Sequence, residues 1–251
     1  MPSPDADHAS PSRAGGVFAT THWSVVLKAG GTESQAAQEA LEQLCRMYWY
    51  PLYAYVRRRG YSPEDAQDLT QDFFVRLLER DLLAGLKPAG AKFRSFLLAT
   101  LKNHLASDWV RSRAAKHGGK HFTISLEALD LEAGYAQEPM DTNTPDVAFE
   151  RHWAETILRR ALERLREELT AEGKQALFDG LVNCLTGAAP PLPYAEQAVR
   201  LGMSEAAVKM AAHRMRKRYG ELLRREVANT VSTAAEIDQE LRYLLAALAA
   251  R

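Results

Sequence analysis

Three carboxylates at helical spacing are the first residues in this sequence whose types could support chemistry. Asp65, Asp68 and Asp72 are separated by three and four positions, so a helix places them on one face. Such a group could hold a metal ion or supply an acid and a base, but no histidine or further carboxylate accompanies it at ligand spacing. We therefore expect no metal, no cofactor and no catalytic residue. The face is either a solvated acidic surface or a docking surface for a basic partner.

A basic segment near the carboxyl end suggests the binding of phosphates and base edges. Tyr194–Leu201 has the pattern of a short helix, Gly202 can end it, and Ser204 can cap the next helix. In that second helix, one face is apolar and consists of Val208, Ala212, Met215 and Tyr219. The other carries Lys209, His213, Arg214, Arg216 and Lys217. A DNA-binding helix–turn–helix requires this division, although a solvated basic helix in an ordinary helical hairpin has the same pattern.

Helical periodicity continues through most of the remaining chain. The predicted helices are Gln35–Arg58, Glu64–Asp81, Phe93–Lys116, Glu150–Leu169, Gly173–Leu185 and Ala234–Ala250. Phe74 is expected to border the acidic face of the second of these, and Arg94 to lie on the solvent side of the third. No βαβ alternation, phosphate-binding loop or glycine-rich dinucleotide turn is present. The expected fold class is all-α.

Charge is segregated along the chain although the formal net charge is +0. Residues 86–121 are rich in lysine and arginine and contain a single acid, Asp108, whereas residues 122–150 contain acids but no lysine or arginine. The acidic stretch also contains Gly134, Pro139 and Pro145, which is typical of a linker. We therefore predict two helical domains joined by an acidic linker, with the helix–turn–helix in the second and a helical extension after it.

The predicted boundaries are a disordered N-terminal segment 1–17, a first domain 18–121, the linker 122–149, a second domain 150–228 and the extension 229–251. Cys45 and Cys184 lack the spacing of a zinc site and are expected to be reduced thiols. The amino terminus has no apolar core of a signal peptide, and no apolar run is long enough to span a membrane. We expect a soluble cytoplasmic protein.

The order of these parts resembles the extracytoplasmic-function sigma factors, the small promoter-recognition subunits of bacterial RNA polymerase. YSPEDAQDLTQDFFVRLLER is similar to the helix with which the family docks on the polymerase clamp. KFRSFLLATLKNHLASDWVRSRAAK is similar to the segment that melts and reads the minus-ten element, and YAEQAVRLGMSEAAVKMAAHRMRKRYGELL to the minus-thirty-five reader. The resemblance covers residues 41–116 and 150–223.

The resemblance implies a role for each matching position. Contacts to polymerase are expected from Asp65, Asp68, Gln71, Asp72 and Phe74. Contacts to the minus-ten element are expected from Lys92, Phe93, Phe96, Asn103, Arg111 and Arg113. Contacts to the minus-thirty-five element are expected from Lys209, Met210, His213, Arg214, Arg216, Lys217 and Arg218.

The resemblance also implies the partners. These are core RNA polymerase and promoter DNA, with an anti-sigma factor as a possible regulator. Separately, Thr70 lies among acids in the predicted docking helix, so it is either a plain helical threonine or a site where a protein kinase alters docking. An alternative is a stand-alone helix–turn–helix regulator that binds duplex DNA as a dimer through the C-terminal amphipathic helix. A nucleic-acid-modifying enzyme would require a metal or acid–base cluster that this sequence does not provide.

Overall fold

The computed structural model describes residues 35–78, 92–112, 135, 144–187 and 192–249, except for the side chains of residues 36–38, 41, 78 and 108–112. Their secondary structure is helical, as predicted. The α-helices are α1 (Gln35–Arg58), α2 (Pro63–Leu78), α3 (Phe93–Ser112), α4 (Pro145–Ala171), α5 (Gln175–Leu181), α6 (Asn183–Thr186), α7 (Tyr194–Leu201), α8 (Glu205–Ala228) and α9 (Ile237–Ala249). The predicted N-terminal segment, most of the linker and Arg113 lie outside the described residues. Within those residues, no helix is long and apolar enough to cross a membrane.

The first hydrophobic core is built by α1, α2 and α3. Leu44, Tyr48 and Leu52 form the predicted stripe of α1 and are fully buried. This helix continues through Pro51, where the sequence suggested a kink or an interruption. From α3, the predicted core residues Phe93, Leu97, Leu101 and Leu105 join the same cluster. The core therefore fixes the orientation of both α2 and α3, which carry the candidate site residues.

The helix α4 belongs to both hydrophobic cores. Its first half contributes Phe149, Trp153 and Ile157 to the α1–α3 core, and its second half contributes Ala161 and Leu165 to a second core. One continuous helix thus connects the two parts of the protein.

This helix begins before the predicted boundary of the linker. Thr144 caps it by accepting a hydrogen bond from the Val147 amide at 3.4 Å, and Pro145 occupies its first turn. The prediction placed Pro145 inside the linker and began the helix at Glu150. Proline is favoured in the first turn of a helix because it needs no amide donor there. The linker prediction is therefore wrong at its carboxyl end, where residues 145–149 are helical.

The second core holds the helix–turn–helix. The turn follows the prediction, because Gly202 has left-handed backbone angles with φ of 62° and the Ser204 hydroxyl accepts from the Ala207 amide at 3.2 Å. The buried Gln197 of α7 donates to the Gly180 carbonyl at 2.6 Å, which joins the motif to α5. The motif is therefore anchored from behind by its own chain.

The C-terminal helix α9 packs on this chain. Of its predicted apolar stripe, Ile237 and Leu244 are buried and Leu241 and Leu248 are half-buried against the first core. Leu245 is 62% exposed. The extension is thus joined to α4 and to the amino-terminal core, across the boundary between the two predicted domains.

The two cysteines are free thiols in different environments. Cys45 is buried in the first core, whereas Cys184 is partly exposed. Burial raises the pKa of the Cys45 thiol well above its usual value, and the nearby charge of Glu42 adds to the effect.

We expect Cys45 in the folded protein to react with iodoacetamide at least about tenfold more slowly than Cys184, because the thiolate is the attacking form and must be accessible. Mass spectrometry of alkylated peptides measures both rates in one sample. In denaturant the two rates should converge. Equal rates in the folded protein would contradict this placement of Cys45.

Candidate nucleic-acid interface

The acidic face of α2 is presented by a helix with a defined start. The Ser62 hydroxyl accepts from the Asp65 amide at 3.1 Å and donates to the Asp65 carboxylate at 2.9 Å. Asp65 and Asp68 are exposed, and Gln71 and Asp72 are half-buried beside them. Four of the five predicted polymerase contacts therefore lie on an accessible surface.

Asp72 also interacts with neighbouring side chains. Its carboxylate lies 3.1 Å from Arg76 Nε and 3.5 Å from His104 Nε2. Among the described residues, no group of three or more histidines, cysteines and acids is placed to hold a metal ion. Asp72 is thus partly paired within the chain, and Asp65 and Asp68 are the more exposed carboxylates of this face.

Phe74, the fifth predicted polymerase contact, is in the core. Its side chain is 0% exposed, and its ring stacks on Trp49 of α1 at 5.2 Å with an interplanar angle of 17°. The prediction that Phe74 borders the acidic surface is therefore wrong. The buried face of α2 is wider than expected, because Ala66, Thr70, Phe73, Phe74 and Leu77 are all buried.

Thr70 belongs to the same buried face. It is fully buried, and its hydroxyl donates to the Ala66 carbonyl at 2.7 Å. In this arrangement a kinase cannot reach the Thr70 hydroxyl. The other predicted regulator, an anti-sigma factor, is not tested by this observation and stays a prediction.

The predicted minus-ten residues at the start of α3 lie close together. Lys92 is half-buried, Phe93 is buried, and the half-buried Phe96 has its ring centroid 6.3 Å from that of Phe93. Phe93 also meets Tyr48 edge to face at 5.1 Å, which fixes its ring. Phe93 is therefore placed to support Phe96 from behind and not to contact DNA directly.

Arg94 is buried at this point, although the sequence pattern placed it on the solvent side. Its guanidinium pairs with Glu240 at 2.5 Å and with Glu150 at 2.6 Å. It also lies over the Tyr243 ring, 3.8 Å from the centroid. Burial alone would lower the pKa of Arg94, but the hydrogen bond with Glu240 and the charges of both glutamates raise it. Burial raises the pKa of Glu150, and the charge of Arg94 opposes that rise.

Asn103 lies farther along the exposed side of α3. Phe96 and Asn103 are seven positions apart and so share one side of the helix, separated by about 10 Å along its axis. The neighbouring Lys102 is exposed and ion-paired with Asp146 of α4. The side chain of Arg111, like all of Arg113, lies outside the described residues.

The recognition helix α8 presents the predicted basic face to solvent. Lys209, His213 and Arg214 are exposed, and so are Arg216 and Lys217. Met210 is also exposed, with 55% of its surface accessible. Val208, Ala212 and Met215 are buried on the opposite side. The division between a packed face and a basic face is therefore present in the structure.

Some of these cations already have partners in the chain. Lys209 pairs with Glu205 at 2.6 Å, and Arg216 donates to the Tyr194 hydroxyl at 2.9 Å. Both contacts are exposed, and such contacts contribute little to stability, so a phosphate can replace them.

Arg218, another predicted DNA contact, forms ion pairs within the chain. Its guanidinium binds both oxygens of Glu168 in α4, at 2.7 and 2.6 Å, and also pairs with Glu221 at 2.9 Å. These hydrogen bonds hold the pKa of Arg218 above its usual value and lower that of Glu168. Arg218 therefore joins α8 to α4 through partly exposed ion pairs, and its contact with a DNA phosphate stays a prediction.

Two buried carboxylates near the carboxyl end were missed from the sequence. Glu226 of α8 is fully buried and lies 3.1 Å from Arg160 Nε and 2.5 Å from Arg164 Nε. Glu240 of α9 is fully buried beside Lys92 and Arg94. Both occur within the apolar stripes of their helices, and a charged residue at such a position indicates a buried ion pair.

One comparison with known proteins gives a match. Residues 44–116, which include α2 and α3, match the family model described as sigma-70 region 2. The match covers less than half of the chain. No curated protein and no solved structure matches. The match shows that residues 44–116 are similar to region 2 of sigma-70 factors.

Proposed function

We propose that this chain is a sigma factor of the extracytoplasmic-function group, which binds core RNA polymerase and directs initiation at specific promoters. The observation that carries this proposal is the combination of a segment matching sigma-70 region 2 with a separate helix–turn–helix whose basic face is exposed. Its compartment would be the cytoplasm, where polymerase and DNA are found. It performs no covalent chemistry itself.

The acidic face of α2 would dock on polymerase. Asp65, Asp68, Gln71 and Asp72 provide acceptors on a rigid helix whose other side is held in the core. Complementary charge favours a basic partner and raises the rate of encounter. Phe74 supports this face from inside.

DNA would be bound at two places. Phe96 and Asn103 on one side of α3 suit an unstacked base of the minus-ten element, because an aromatic ring can stack on the base and an amide can bond its edge. Lys209, Met210, His213 and Arg214 face outward on α8 and would meet base edges of the minus-thirty-five element. Arg216 and Lys217 would contact its phosphates. Each good bidentate base contact contributes about 1–3 kcal/mol of discrimination.

Charge reversal at Asp68 tests the docking step. We expect Asp68→Lys to weaken binding to core polymerase at least about tenfold, because like charges placed opposite each other cost several kcal/mol. Glu163→Lys is the matched control, since Glu163 is exposed on α4, away from this face. Coelution with purified core polymerase measures both. Equal binding by the two variants would count against docking through α2.

The alternative, a dimeric regulator that acts without polymerase, has less support. It relies on a free apolar face of α9, but Ile237 and Leu244 of that face are buried against this chain. Among the apolar residues of the stripe, Leu245 is the one described as exposed. The matched segment 44–116 also has no role in that alternative.

A further inference from the structure

The start of α3 is held by a carboxylate from the other end of the chain. Glu240 of α9 is 0% exposed and lies 2.5 Å from Arg94 Nε and 2.8 Å from Lys92 Nζ. These residues are far apart in sequence, so the contact forms only in the folded chain. Glu240 is the anion that neutralises the two cations at this end of α3, together with Glu150 on Arg94.

Further contacts hold the same turn. The Phe93 amide donates to the Thr230 carbonyl at 3.3 Å, just after α8 ends. Arg94 lies over Tyr243 of α9, and Lys92 lies 5.7 Å from the centroid of the same ring. Residues 230–249, named here the C-terminal clasp, therefore cover the first turn of α3 through backbone, charge and ring contacts.

The covered turn contains Lys92, which the resemblance to sigma factors places among the contacts to the minus-ten element. A carboxylate and a phosphate are both oxyanions and compete for the same donors. While Glu240 holds Lys92 and Arg94, neither cation can make its strongest contact with a DNA backbone. Exchange is feasible because the attraction within a buried ion pair is largely offset by the loss of hydration.

We propose that the C-terminal clasp is an autoinhibitory element in which Glu240 occupies the place of a DNA phosphate. This inference rests on the proposed function for its biological meaning. Opening of the clasp releases Lys92 to the DNA strand and leaves Phe96 accessible beside it, while Arg94 stays paired with Glu150 of α4. The free protein is thereby kept in a state that binds single strands weakly.

The Glu240→Gln variant tests this inference without polymerase. Fluorescence anisotropy with a labelled single-stranded oligo(dT), at a series of salt concentrations, measures affinity and its salt dependence. We expect binding about tenfold tighter than wild type at low salt. The slope of log K against log salt should steepen by about 0.7, because Lys92 adds one phosphate contact and each such contact on a single strand contributes about that much.

Two further variants make the result specific. Asp238→Asn is the matched control, because Asp238 is an exposed carboxylate of α9 that pairs with Arg224 and not with α3. It should bind oligo(dT) as the wild type does. Adding Lys92→Gln to Glu240→Gln should abolish the gain in slope. Unchanged or weaker binding by folded Glu240→Gln would overturn the proposal.

Hydrogen–deuterium exchange on the wild-type chain gives an answer even if Glu240→Gln does not fold. Saturating oligo(dT) should speed amide exchange in α9, whereas unchanged or slower exchange there would contradict the clasp. Initiation with core polymerase is read separately. A gain in oligo(dT) binding by Glu240→Gln without any initiation would refute the proposed function and leave the clasp standing. Initiation by the wild-type chain without a gain in oligo(dT) binding by Glu240→Gln would support the proposed function and overturn the clasp.

Discussion

Replacing Phe74 with alanine is expected to lower the free energy of unfolding by about 3–5 kcal/mol. The ring is fully buried and stacked on Trp49, so its loss removes apolar burial and leaves a cavity between α1 and α2. Chemical denaturation followed by circular dichroism measures the change. The result matters for function because a large loss means that Phe74 supports the acidic face from the core and does not contact polymerase directly.

Gln67→Ala is the control for Phe74→Ala. Gln67 is an exposed residue of the same helix, and its replacement should change the free energy of unfolding by less than about 0.5 kcal/mol. If Phe74→Ala lowers the free energy of unfolding by less than about 1 kcal/mol, the Phe74 side chain lies at the surface. That result would also return the residue to the set of direct polymerase contacts.

Replacing Glu226 with glutamine is expected to lower the free energy of unfolding by about 1.5–3 kcal/mol, because the buried carboxylate loses charge-assisted hydrogen bonds to two partly exposed arginines. Arg160 and Arg164 of α4 both depend on this carboxylate. Glutamine keeps the volume of the side chain, so the change reports the lost charge and not a cavity. Thermal and denaturant unfolding should agree.

Glu221→Gln provides the comparison on the same helix. Glu221 is exposed and pairs with Arg218, and exposed pairs contribute at most about 1 kcal/mol. Equal losses for the two variants would show that burial of Glu226 does not determine its contribution. The buried charge of Glu226 would then contribute no more to the anchoring of α8 on α4 than an exposed ion pair does.

Local features of the fold could be predicted because each depends on a few adjacent residues. Gly202 and Ser204 define the turn of the helix–turn–helix through backbone freedom and side-chain capping, and both behave as expected. Ser62 likewise precedes α2 and caps it. The basic face of α8 follows from periodicity once that helix is in place.

Features that depend on distant contacts could not be predicted in the same way. Phe74 was assigned to the surface because nothing in its own helix shows that Trp49 covers it. Arg94 was assigned to solvent because its partners, Glu150 and Glu240, come from α4 and α9. The signals were present but needed another interpretation: Glu226 and Glu240 interrupt apolar stripes, which is expected only if each finds a cation.

The position of α4 changes how the two predicted domains are understood. A polar, proline-containing segment before Glu150 suggested separate domains, but Pro145 starts a helix that contributes to both hydrophobic cores. The proposed readers of the two promoter elements are thus joined in the free chain by α4 and by the C-terminal clasp. Polymerase and DNA must therefore bind a chain in which the two predicted domains are already packed together.

In vitro transcription with purified core RNA polymerase tests the central claim most directly. Genomic fragments are the templates, and run-off products are mapped to their start sites. We predict that the wild-type chain produces discrete start sites, that Glu163→Lys does so as well, and that Asp68→Lys does not. Absence of promoter-dependent initiation on every fragment, with tight binding of the chain alone to duplex DNA, would contradict the assignment as a sigma factor.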